Sequence, residues 1–200
     1  MTAPLVVSIL GPVEARRDGV ALPLGGRRQR SVLTRLALAA GAPVPIDRII
    51  DDLWGGEPPA SATNTLQSYV SNLRKALGGD VPAIAREGDA YRLAVGPEAF
   101  AAERAEALVA EGDGTDDPEA RLRAFAAARS LWHGRSLAEV DDEPWAQGDA
   151  VRLEALRLRA DEGRIDALLD LDRAGEAVSE LEALVAAHPL HERFAEQLVL

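Results

Sequence analysis

The sequence predicts an α+β N-terminal part followed by an all-α C-terminal part, and three observations carry that expectation. Residues 1–97 mix short alternating apolar runs, two helical stripes and turn signals such as Asp18-Gly19. From Glu98 onward the chain reads as helix after helix, rich in Ala, Leu, Arg and Glu, without strand alternation. Charge divides at the same place. Residues 1–97 hold 11 Arg and Lys against 9 Asp and Glu (+2), and residues 98–200 hold 11 against 24 (−13), out of a total of −11. Such asymmetry marks two modules with different partners, expected at 1–97 and 98–200.

Composition narrows the class. A hydrophobic content of 47% over 200 residues supports a genuine core. The absence of cysteine excludes disulfides and thiolate metal sites and suits a reducing compartment. The apolar run Leu5–Leu10 is too short for a signal sequence, and no stretch approaches the ~20 apolar residues of a membrane span. A soluble, cytoplasmic protein that does not engage membranes is expected.

The N-terminal elements follow in order. Leu5–Leu10 reads as a buried strand, Val13–Arg17 alternates, Asp18-Gly19 turns the chain and Val20–Leu22 returns, giving a small antiparallel sheet. A helix is expected from about Arg27 to Ala40, with Val32, Leu33, Leu36 and Leu38 on its core side. Gly25-Gly26-Arg27-Arg28 lacks the ending of a phosphate loop. It reads as a turn whose arginines cover the sheet edge or touch a DNA phosphate. Ile46, Ile49, Ile50, Leu53 and Trp54 predict a short amphipathic helix ended by Gly55-Gly56, with Trp54 in the core.

Asn64–Leu77 is the most informative stretch. Leu66, Val70, Leu73 and Leu77 form one helical stripe, and Asn64, Ser68, Ser71 and Lys75 stand opposite, flanked by Gln67, Arg74 and Asn72. This polar face has no carboxylate in a strongly acidic chain. Its amides, hydroxyls and cations suit base edges and phosphates. Gly78-Gly79 closes the helix, and Ala83–Val95 reads as two strands around a Gly-containing turn. Helix, turn, longer polar helix and hairpin in that order make a winged helix-turn-helix with small antiparallel sheets.

Asn64–Leu77 followed by Arg86-Glu-Gly-Asp-Ala-Tyr-Arg-Leu93 resembles the recognition helix and wing of OmpR-type winged-helix regulators, the output domains of two-component systems. Ala90 stands where that family usually has Gly. Leu10-Gly-Pro12 and Gly26-Arg-Arg-Gln-Arg-Ser-Val-Leu33 resemble the opening of the SARP activators of actinobacteria. The resemblance puts Gln67, Ser68, Ser71, Asn72, Arg74 and Lys75 at DNA, Thr63, Asn64 and Thr65 near the backbone at the helix start, and Arg86 and Arg92 in the wing. A surface carboxylate is the competing partner for Arg74, and Tyr69 is read as packing.

In the C-terminal part, helices are expected at 98–111, 118–132, 144–172, 174–187 and from about Leu190. Ala177, Leu181, Leu184 and Pro189 take the spacing of a TPR second helix, with the Gly expected in the first replaced by Ile165 or displaced to Gly163. An all-α TPR-like domain is the result, similar to the bacterial transcriptional activation domain of SARP proteins. Leu200 falls inside what reads as a further repeat, so a truncated or short chain is expected, with Phe194, Leu198, Val199 and Leu200 on an unfinished edge.

Other chemistry is not encoded. His133, His188 and His191 lack metal-ligand spacing, and the carboxylates of Asp141–Glu143 and Asp113–Glu119 lack that of a calcium loop, which leaves solvated surface. No nucleophile constellation, Walker sequence or preceding receiver domain is visible, so no enzyme, cofactor or aspartyl-phosphate switch is expected. The functional expectation is a transcriptional activator that binds tandem direct repeats of promoter DNA, pairs on that DNA and contacts RNA polymerase. The alternatives are a TPR-like interaction adaptor with a degenerate winged helix, or the N-terminal part of a larger regulator.

Overall fold

The computed structural model describes residues 5–78 and 83–199, the side chain of Val199 excepted. The chain forms two compact units: the chain up to Arg104 together with His133–Leu153, and Ala105–Trp132 together with the chain from Glu154.

The first unit opens with β1 (Leu5–Ser8), β2 (Glu14–Arg17) and β3 (Val20–Ala21), an antiparallel sheet in that order. β1 points Leu5 and Val7 inward in strict alternation. Helix α1 (Arg27–Leu38) follows, two residues shorter than expected because Ala40 turns left-handed at φ 46°. Its buried face holds Val32, Leu33, Leu36 and Ala37, whereas Leu38 is half-buried. Buried Ser31 and Thr34 on the same face donate to the carbonyls of Arg27 and Arg30, so they cost no unsatisfied hydroxyl.

A two-residue strand β4 (Val44–Pro45) precedes α2 (Ile46–Trp54) and was not legible from the sequence pattern. Helix α3 (Ala62–Leu77) follows, then the hairpin β5 (Ile84–Glu87) and β6 (Ala90–Leu93). The second sheet has the order β4-β6-β5. Gly88, at φ 57°, takes the hairpin turn, and Ala90 sits in regular strand pairing opposite Glu87. The turn therefore makes no demand for Gly at position 90. Helices α1, α2 and α3 contact one another, and β5 and β6 lie against α3 and α1 respectively. Between α1 and α2, buried Asp52 is held by Arg35 at 2.7 Å and Arg48 at 3.1 Å. A carboxylate this enclosed persists because two cations meet both its oxygens.

His133–Leu153 completes this unit. The amides of His133 and Leu137 donate to the carbonyls of Leu10 and Ile9, and Leu137, Val140, Ala146 and Leu153 are buried. The acidic stretch Asp141–Glu143 is exposed or half-buried, and it meets the start of α1 at the surface. Asp142 pairs with Arg27, whose guanidinium holds that carboxyl below the usual range, and Glu139 pairs with Arg30 at 2.9 Å. Arg27 and Arg30 are thus engaged by carboxylates rather than by a sheet edge.

The second unit is helical, and the helices after residue 97 fall within a few residues of expectation: α4 (Ala101–Asp113) and α6 (Gln147–Asp170), whose first turns belong to the first unit, and α5 (Pro118–Arg129), α7 (Ala174–Ala187) and α8 (Glu192–Val199). Short 3₁₀ turns at Pro97–Ala99 and Pro144–Ala146 occupy two of the expected helix starts. Asp117 caps α5, accepting from the Glu119 amide, with Pro118 in the first turn. One cluster joins Leu122, Ile165, Leu168, Ala177, Leu181 and Phe194. Phe194 is fully buried there and stacks on His191, which corrects its expected place on an open edge. Leu198 is 37% exposed, and Leu200 lies outside the described residues.

Candidate nucleic-acid interface

The stripe of α3 settles which side of the helix faces out. Leu66, Leu73 and Leu77 are fully buried and Val70 is 1% exposed. At about 1.5–3 kcal/mol for each large side chain taken from water, this stripe holds the helix without help from the opposite face. Thr63, Asn64, Gln67, Ser68, Ser71, Asn72 and Lys75 are all exposed, Asn64, Ser68, Ser71 and Lys75 opposite the stripe and the others beside them, and no acidic residue occurs in the helix. The structure therefore brings seven of the expected site residues together on one continuous polar surface.

Thr65, Arg74, Arg86 and Arg92 are placed differently, and Ser68 is engaged within its own helix. Thr65 is half-buried at the edge of the stripe. The Ser68 hydroxyl donates back to the Asn64 carbonyl at 3.0 Å, which leaves its oxygen as an acceptor toward solvent. Arg74 is half-buried; its Nε donates to the Ile84 carbonyl at 2.7 Å and its guanidinium lies 5.9 Å from the centroid of the buried Tyr91 ring. It ties the wing to α3 through a backbone acceptor, where a carboxylate partner was the expected competitor. In the wing, Arg86 donates to the Gly88 carbonyl and lies 3.8 Å from Asp89, while Arg92 pairs with Glu87 across the hairpin.

Two further elements shape the surface. At the C-terminal end of α3, Arg17 of β2 donates to the Leu77 carbonyl at 2.8 Å, placing a cation where the helix dipole is negative. At the other side, Gln29 of α1 donates through Nε2 to the Leu24 carbonyl at 2.9 Å, which fixes its amide. Its Oε1 then faces Asn72 Nδ2 at 3.5 Å. Arg28, next in line, stands over Trp54 at 5.6 Å, and Trp54 is half-buried rather than a core residue. Sequence reasoning missed Gln29 because its partner lies 43 positions away and no local pattern joins them.

Comparison with known proteins places both halves. The bacterial transcriptional activator domain matches residues 97–200, and the C-terminal domain of transcriptional regulatory proteins matches residues 23–90. The chain is 38% identical to the regulatory protein AfsR of Streptomyces griseus over 96% of this chain and 20% of that protein. It is 34% identical to the regulatory protein DnrI of Streptomyces peucetius over 97% of this chain and 76% of that protein. A structure of Mycobacterium tuberculosis EmbR in complex with a low affinity phosphopeptide superposes with a TM-score of 0.90 at 31% identity, over 98% of this chain and 54% of that one. The chain thus spans about a fifth of AfsR and about half of the EmbR chain.

Proposed function

The chain belongs to the SARP family of transcriptional regulators, and from that premise we propose that it is a sequence-specific DNA-binding transcriptional activator. The observation that carries this reading is the carboxylate-free outer face of α3 in a chain of net charge −11. Side chains that both donate and accept suit base edges in a major groove, and Lys75 suits a phosphate. Gln67, Ser68, Ser71 and Asn72 read bases in this proposal, Thr63, Asn64 and Thr65 contact the backbone near the helix start, and Arg86 and Arg92 bring the wing onto the neighbouring backbone. Arg74 acts by holding the wing at its angle to α3, its outer nitrogens turned toward DNA.

Family membership supports binding as a side-by-side pair on tandem direct repeats, followed by contact with RNA polymerase in the cytoplasm. No catalytic step is required. Each ~1.4 kcal/mol of added contact at a promoter raises polymerase occupancy tenfold. Among the described residues, no helix is long and apolar enough to cross a membrane.

Selection from a randomised duplex library with the 200-residue chain at fixed physiological salt tests this. Enrichment of two head-to-tail half-sites about one helical turn apart is expected. A folded chain that enriches no sequence would sink the reading in favour of an interaction adaptor.

A further inference from the structure

The four arginines of α1 divide sharply by partner. Arg27 meets Asp142, Arg30 meets Glu139 and Arg35 meets Asp52. Arg28 alone of the four has no carboxylate within 4.0 Å among the described residues, although it is exposed. In place of an acid it has an aromatic face. Its guanidinium stands 5.6 Å over the Trp54 ring, at the last residue of α2 before the turn into α3. An aromatic face orients a guanidinium without neutralising it, so the charge and the N–H fork stay available to a further anion.

The position of that charge is the second observation. Gln29, adjacent in sequence, reaches Asn72 on the exposed face of α3. The start of α1 therefore abuts the polar surface of the recognition helix. A duplex seated on that surface brings its phosphate backbone alongside. We propose that Arg28 is a phosphate contact outside the recognition helix, with Trp54 as its positioning residue. This inference rests on the reading of α3 as the DNA-binding helix and extends that interface to a second helix. Bidentate guanidinium–phosphate pairing supplies affinity and register but no base information.

The test uses the full 200-residue chain and two duplexes, one carrying the selected repeat and one unrelated, titrated between ~50 and ~200 mM salt. Each phosphate neutralised contributes a slope of about 0.9 in log K against log salt, or roughly a 3.5-fold change over that range. Arg28→Ala is expected to weaken both duplexes by the same factor and to lower the slope by about one. Arg28→Lys is expected to retain the slope. Trp54→Leu is expected to weaken binding when Arg28 is present and to have no effect in the Arg28→Ala background, a coupling that a merely structural Trp54 would not produce. If the wild-type chain binds and Arg28→Ala keeps its affinity and slope, the proposal is overturned and the α3 reading stands. If the wild-type chain binds neither duplex, the α3 reading fails and the proposal falls with it.

Discussion

Arg17 Nη2 lies 2.8 Å from the carbonyl oxygen of Leu77, so a strand residue 60 positions upstream closes the last turn of α3. The last carbonyls of any helix lack intrahelical donors, and a half-buried cation there gains from both the hydrogen bond and the dipole. Arg17→Met is expected to cost about 1–2 kcal/mol in urea unfolding. Arg17→Lys, which keeps the charge but loses the fork, should fall between the two. An unchanged midpoint in Arg17→Met would remove Arg17 as the anchor between sheet and helix.

Lys75 and Asn72 sit one turn apart on the exposed face of α3 but should fail in different ways. Lys75→Ala is expected to weaken all DNA sequences alike and to reduce the salt slope by about one. Asn72→Ala should relax base preference, with a loss of about 1–3 kcal/mol of discrimination at one position. Uniform weakening with preference intact would move Asn72 to backbone positioning, and an unchanged slope would take Lys75 off the phosphates.

The winged-helix unit recruits His133–Leu153, which bears on where a stable fragment can end. A chain stopped at Arg104 retains every winged-helix element, yet loses the donors to the Ile9 and Leu10 carbonyls and the buried Leu137, Val140 and Leu153. We expect it to melt well below the full chain. Asp142→Asn should change little, because the Arg27–Asp142 pair is exposed and such pairs contribute little in water. Equal melting of the fragment and the full chain would show that residues 133–153 are dispensable and would favour the simpler division at 97.

Periodicity made most of this legible. The α3 stripe, the hairpin turns and the order of helices are local patterns, and the structure moves their ends by only a few residues. What stayed hidden is non-local. Strand β4 is two residues long and finds its partner in Tyr91 and Ala90, far along the chain. The partner of Arg74 is the Ile84 carbonyl, a backbone group that side-chain identity cannot announce. The partners of the acidic loop stayed hidden because the arginines that bind it precede it by more than 100 residues. Trp54 read as core from its place at the end of an apolar stripe, whereas one face of its ring is left to Arg28.

Gly163 shows why a glycine sits inside α6. A Cβ placed there would come within 2.4 Å of the Phe125 ring, far inside van der Waals contact, and Phe125 is 1% exposed in a packed cluster with Val109, Ala128 and Ala160. Helices α5 and α6 approach closely only because this position is bare. Gly163→Ala is expected to destabilise the helical unit by about 1–3 kcal/mol despite the better helix propensity of alanine. Pairing it with Phe125→Leu should recover part of the loss. A stabilised Gly163→Ala variant would mean that the ring can move aside freely.

Asp161 gives the helical unit a pH dependence opposite to that of an ordinary paired carboxylate. Burial pushes its carboxyl above the usual aspartate range, against the opposing pull of Arg129, whose Nε lies 2.8 Å away, and of Arg157 at 4.0 Å. In the unfolded chain the same group loses its proton near pH ~3.9. As pH rises from that value through the folded-state value, the unfolded chain has already released a proton that the folded chain still holds, so stability falls. Asp161→Asn removes this contribution while keeping an acceptor for Arg129. The variant is expected to match the wild type most closely at about pH 3 and to gain on it as pH rises toward neutrality, read from unfolding midpoints at several pH values. A gap that instead moves in favour of the wild type with rising pH would mean that Arg129 and Arg157 outweigh desolvation. The carboxylate would then stabilise the fold in the ordinary sense.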